Sequence, residues 1–98
     1  MKDNIEPIQQ ESDACEIKTP DDHRRMFRAL ENPQRRKIVK SIGASGKTKI
    51  EIMNELKISE SQLKFQLDFL IQECYAQIDG DKFKLNSRGL QELLANIK

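Results

Sequence analysis

TKIEIMNELKISESQLKFQLDFLIQEC, residues 48–74, decides how this chain folds. It reads as two helices joined by a tight turn. Thr48 with Glu51 three residues on has the capping-box spacing, in which a hydroxyl and a carboxylate each satisfy a backbone N–H at a helix start. Ile50, Ile52, Met53 and Leu56 then form an apolar stripe. Lys57-Ile58 makes the turn, and Ser59 with Gln62 repeats the capping box. In the second helix Leu63, Leu67, Leu70, Ile71 and Cys74 share one face, so Cys74 is expected in the core. Two short helices joined in this way make a helix-turn-helix, whose second helix can enter a DNA major groove.

The flanks extend this pattern. Thr19-Pro20-Asp21-Asp22 has a capping hydroxyl, a proline at the first helical position and acids facing the positive end of the dipole. A first helix runs from there to about Leu30. Asn32-Pro33 opens a second, with Ile38, Val39 and Ile42 inside and Gly43 and Gly46 at its end. Beyond residue 74, Tyr75-Ala76-Gln77-Ile78 and Lys82-Phe83-Lys84-Leu85 alternate like strands about an Asp79-Gly80 turn. Ile78, Phe83 and Leu85 supply the apolar face of this hairpin. Ser87 is expected to cap a last helix carrying Leu90, Leu93, Leu94 and Ile97. The expected class is mainly α with a small β-hairpin, in the order helix, helix, helix-turn-helix, hairpin, helix.

Ninety-eight residues allow one small domain, with 37% hydrophobic side chains for a thin core. The net charge of +1 hides an asymmetry. Two basic and seven acidic residues give residues 1–22 a net charge of −5, whereas fifteen basic and nine acidic residues give the remainder +6. Residues 1–18 are expected to form an acidic, flexible arm and residues 19–98 the folded domain. No apolar run reaches the roughly 20 residues of a membrane helix, and MKDNIEPIQQ is too polar for a secretory signal. A cytoplasmic protein without membrane attachment is expected. The two cysteines, Cys15 and Cys74, suggest no disulfide framework.

At this point the chain resembles a winged helix-turn-helix domain, most closely the small arsenic-repressor-type (ArsR) transcriptional regulators of bacteria and archaea. Phe27-Arg28-Ala29-Leu30-Glu31-Asn32-Pro33-Gln34-Arg35-Arg36-Lys37-Ile38-Val39 is similar to that family's entry into its second helix. Residues 59–76 resemble its recognition helix, and Leu85-Asn86-Ser87-Arg88-Gly89 the end of its wing. The resemblance spans about residues 20–98 and implies sequence-specific double-stranded DNA binding by a homodimer. It places helix 59–74 in the major groove and the wing, residues 75–86, on the backbone. First and last helices would form the dimer interface, for which the sequence offers Met26, Phe27, Leu30, Leu90, Leu93, Leu94 and Ile97.

The chain departs from its metal-sensing relatives. The helix before the turn has no cysteine, and the last helix has no histidine. A Cys15, His23, Cys74 set has no supporting spacing, so no metal and no cofactor is expected. Catalysis is not expected either: one histidine, no glycine-rich phosphate loop, no HExxH and no CxxC leave too few groups for acid/base or nucleophilic chemistry.

Residue by residue, Gln62 and Gln66 are expected to bond adenine edges, Ser61 a phosphate or base, and Phe65 a thymine methyl. Thr48, Lys49, Lys64, Lys82, Lys84, Arg35 and Arg36 are the expected phosphate contacts, although a charged run is most often a solvated face. Lys64 is the only cation between Ser59 and Cys74, against Glu60, Asp68 and Glu73. Phe65 and Phe69 share one side of that helix. The alternative is therefore a protein-interaction module presenting Phe65, Phe69 and Asp68 to a protein partner.

Overall fold

A computed structural model of the chain describes residues 22–97. The expected arm over residues 1–18, the Thr19-Pro20 helix start and Cys15 lie outside the described residues. Helices α1 (Asp22–Glu31), α2 (Pro33–Ile42), α3 (Lys49–Leu56) and α4 (Glu60–Gln72) are joined by strands β1 (Lys47–Thr48), β2 (Ala76–Asp79) and β3 (Lys82–Leu85). The architecture is mainly helical with a small antiparallel sheet, in the expected order. Among the described residues, no helix is long and apolar enough to cross a membrane.

Local chemistry sets the helix boundaries. Asn32 caps α2, its Oδ1 accepting the Arg35 backbone N–H at 2.9 Å, with Pro33 at the first helical position. Both expected capping boxes are formed, Thr48 with Glu51 and Ser59 with Gln62. Lys57 closes α3 in the left-handed region at φ 55°, and its N–H reaches the Met53 carbonyl at 2.8 Å. That single residue turns the chain from α3 into α4.

The inner faces converge on one core. Ile38, Ile42, Ile52, Leu63, Leu70, Tyr75 and Leu93 are fully enclosed, drawn from α2, α3, α4, the hairpin entry and the last helical segment. Each large apolar side chain fully buried here contributes about 1.5–3 kcal/mol, so this cluster ties α2, α3, α4 and the last segment to one another.

Several details differ from the sequence expectation. A short third strand is present. Lys47 pairs with Phe83 and Thr48 with Lys82, giving the sheet order β1-β3-β2. Two residues show no alternation to read, and Gly46 at φ +88° brings them in, where a Cβ would lie 2.7 Å from the Lys84 side chain. In the hairpin Asp79 pairs with Lys82, so the two loop residues are Gly80-Asp81 rather than Asp79-Gly80. Gly80 at φ 68° supplies the positive dihedral such a turn needs.

The last segment is not a regular helix. Gly89–Leu93 is wound as a π-helical turn and Leu94–Asn96 as 3₁₀. Its cap is Asn86 rather than Ser87: Asn86 Oδ1 accepts the Gly89 N–H at 2.8 Å while Nδ2 donates to the Cys74 carbonyl at 2.7 Å. Gly89 passes so close to Tyr75 that a Cβ there would stand 2.2 Å from the Tyr75 carbonyl oxygen.

Cys74 is not a core thiol. It lies past the end of α4 at φ 68°, half-exposed, and is disulfide-bonded. Tyr75, which follows it, is fully enclosed.

Candidate nucleic-acid interface

Alternation around α4 separates two faces. Leu63, Gln66, Leu67 and Leu70 point inward, while Glu60, Ser61, Gln62, Lys64, Phe65, Asp68 and Gln72 are exposed. Phe65, with 68% of its surface accessible, is the most exposed large apolar side chain of this face. On the side toward the hairpin, a groove of about 240 Å³ is floored by Leu67, Ile71, Ile78 and Phe83, with Lys49 and Lys64 at its rim. The exposed face of α4, the start of α3 and the hairpin therefore lie around one surface.

Of the four expected base-reading residues, Ser61, Gln62 and Phe65 are exposed on this surface. Gln66 is not. It is buried, its Oε1 accepts from Arg35 Nε at 2.9 Å, and its Nε2 donates to Asn32 Oδ1 at 3.4 Å. Gln62 is partly engaged, because its Oε1 accepts the Ser59 backbone N–H at 3.1 Å.

The expected phosphate contacts divide in a similar way. Arg35 is buried, not solvent-facing. Its guanidinium donates to the Arg28 and Ala29 carbonyls at 3.1 and 3.2 Å, and lies 3.7 Å from the centroid of the Phe69 ring. Burial pulls its pKa down, opposed by the carboxylates of Glu31 and Glu73. Arg36 is half-buried and donates to the Leu30 carbonyl. Thr48 serves its own helix: Oγ1 accepts the Glu51 N–H at 3.2 Å, and its backbone N–H donates to the Glu51 carboxylate at 2.9 Å.

The four lysines remain at the surface. Lys64 pairs with Asp68 at 3.0 Å, Lys84 with Asp79 at 3.1 Å and Lys49 with Glu60. Lys82 is exposed and lies near the Glu51 carboxylate. Lys47, beside Lys49 at the start of α3, joins the group at β1 and pairs with Glu55.

Carboxylates interleave with these cations. The Thr48 N–H holds Glu51 below the usual carboxylate range, hydrogen bonds from Lys47 and Ser41 lower Glu55, and one from Lys49 lowers Glu60. Exposed pairs of this kind are worth about 0–1 kcal/mol, so an incoming phosphate can take over either lysine.

Both misplaced residues had a readable signal. Gln66 stands three residues after Leu63 and four before Leu70, on the leucine stripe. Arg35 stands three, four and seven residues before Ile38, Val39 and Ile42. Each polar group interrupts an apolar stripe, and the two interruptions meet each other. The aromatic patch of the alternative reading is also reduced, because Phe69 is half-buried beneath Arg35.

For the expected interface between copies, Phe27 is 62% exposed, whereas Met26, Leu30, Leu90, Leu94 and Ile97 are partly buried against the core. Leu93 is fully buried within one chain and has no surface to offer a second.

Comparison with known proteins gives relatives of about the same length. The chain is 40% identical over 79 residues to an uncharacterized protein of Archaeoglobus fulgidus, covering 81% of this chain and 91% of that one. A second uncharacterized protein of the same organism is 38% identical over 69 residues, covering 69% and 81%. The chain belongs to the same family as these two archaeal proteins. No protein-family model matches it, and no solved structure matches it.

Proposed function

We propose that the chain is a winged helix-turn-helix protein of arsenic-repressor-like type that binds double-stranded DNA sequence-specifically and regulates transcription. In this reading α4 is the recognition helix and enters the major groove, and the β2–β3 hairpin is the wing lying on the backbone. The observation that carries it is the uncovered outer face of α4, which bears Lys64 and shares a groove with Lys49 at the start of α3, while Lys82 and Lys84 lie on the adjoining hairpin. Phosphate contacts from such flanks position a duplex, and residues on the helix between them read it. The protein acts as a homodimer joined through α1 and the last segment, with Phe27 at the centre and Met26, Leu30, Leu90, Leu94 and Ile97 around it. It works in the cytoplasm, without cofactor, metal or catalysis.

Exposure of Phe65 beside the Lys64–Asp68 pair favours one other reading, a winged-helix module docking a protein. The test is an amide-resolved NMR titration of the labelled protein with a non-specific duplex at low salt. Shifts at Thr48–Lys49, Ser61–Phe65 and Lys82–Lys84 that vanish by roughly 200 mM salt are expected, since released counterions drive the association. Silent amides on this surface would end the DNA reading and leave the protein-docking one.

A further inference from the structure

We infer that base readout by α4 rests on thymine methyl groups received by Phe65, not on side-chain amides; the inference depends on the DNA-binding reading above. It begins with what the fold removes from the reading set. Gln66 is enclosed, and its amide is spent on Arg35 and Asn32. Gln62 remains outside, but its oxygen is held by the Ser59 N–H, and a bidentate adenine contact needs both ends of the amide. Lys64, the cation of the exposed face, serves a phosphate, a contact that positions the duplex without reading its sequence. Ser61 bonds to any base edge and so selects weakly.

Phe65 is what remains with area to bury. It sits in the middle of the exposed face, 68% accessible. A phenyl ring neither donates nor accepts a strong hydrogen bond, so pressing it on a base edge that offers only polar atoms strips their water without replacing it. The thymine C5-methyl is the apolar group on the major-groove edges, and against it both partners lose water favourably. Burying one methyl in this way corresponds to about fourfold in affinity.

The experiment is selection by the full-length protein from two randomised duplex pools, one containing thymine and one containing uracil in its place, at low and at physiological salt. Sequences recovered from the first pool should converge on thymine at one or more fixed positions. The winning duplex remade with deoxyuridine there should bind about fourfold more weakly for each methyl removed. Phe65→Ala should bind both versions alike, with an amide spectrum otherwise unchanged, as befits an exposed side chain. A winning duplex bound equally well with thymine or uracil would overturn the methyl readout and leave DNA binding standing. Recovery of no duplex from either pool at low salt would remove the DNA reading together with this inference, and would assign Phe65 to a protein partner.

Discussion

Arg35→Ala separates the structure from a surface view of this residue. The guanidinium satisfies three acceptors, the buried Gln66 side-chain oxygen and Ala29 carbonyl and the partly buried Arg28 carbonyl, and lies against Phe69. Each acceptor left without a donor costs about 1–3 kcal/mol, and loss of the stacked cation about 1 kcal/mol more. Relief of the guanidinium's desolvation offsets part of this, and water reaching the partly buried Arg28 carbonyl offsets more. A net loss of about 3 kcal/mol is expected, or roughly 15 °C in melting temperature for a domain of this size. Thermal and urea unfolding measure it, with Gln66→Ala completing a double-mutant cycle whose coupling should exceed about 1 kcal/mol. A phosphate-binding arginine at the surface would behave oppositely, weakening DNA binding with little change in stability. An Arg35→Ala protein melting within about 3 °C of the parent would refute the buried-network reasoning, because that shift corresponds to less than one lost hydrogen bond.

Other perturbations test other joints of the fold. Gly89→Ala forces a Cβ to 2.2 Å from the Tyr75 carbonyl oxygen; a loss of about 3 kcal/mol in urea unfolding is expected, and a variant as stable as the parent would contradict that approach. Thr48→Ala removes the acceptor for the Glu51 N–H and should cost about 1 kcal/mol, whereas no change would mean that the capping box contributes nothing in solution. Glu51, Glu55 and Glu60 are held below their ordinary pKa by hydrogen bonds in the folded chain. Their stabilisation is therefore complete above the unfolded glutamate value and disappears as pH falls through the lower folded values. Chemical stability should be level down to about pH 5 and decline below about pH 4.3. Glu51→Gln should soften that decline, and stability rising on acidification across this window would show the sign to be wrong.

Much of the architecture is legible in local chemistry. Asn32-Pro33, Thr48 with Glu51 and Ser59 with Gln62 each mark a helix start by groups that bond within three residues, and all three starts occur where the sequence puts them. The alternation of Lys82-Phe83-Lys84-Leu85 likewise places β3. Such signals are readable because both partners in each bond are neighbours in the chain. The candidate surface was less legible. Phe65, Lys64 and Lys82 face solvent and Lys49 and Lys84 are half-exposed, whereas Gln66 and Arg35 are enclosed although polar residues are ordinarily found outside.

Periodicity and local capping pairs by themselves determined a mainly helical chain with a hairpin, three of its helix starts and most of its core, since each of these follows from side chains spaced within one turn or one strand. Tertiary structure alone decided the rest. The β1 pairing, the enclosure of Arg35 with Gln66 and the tight passage of Gly89 over Tyr75 each depend on a partner many residues away. Whether a buried polar group finds its acceptor is a property of two elements brought together, and no single stretch of sequence contains both.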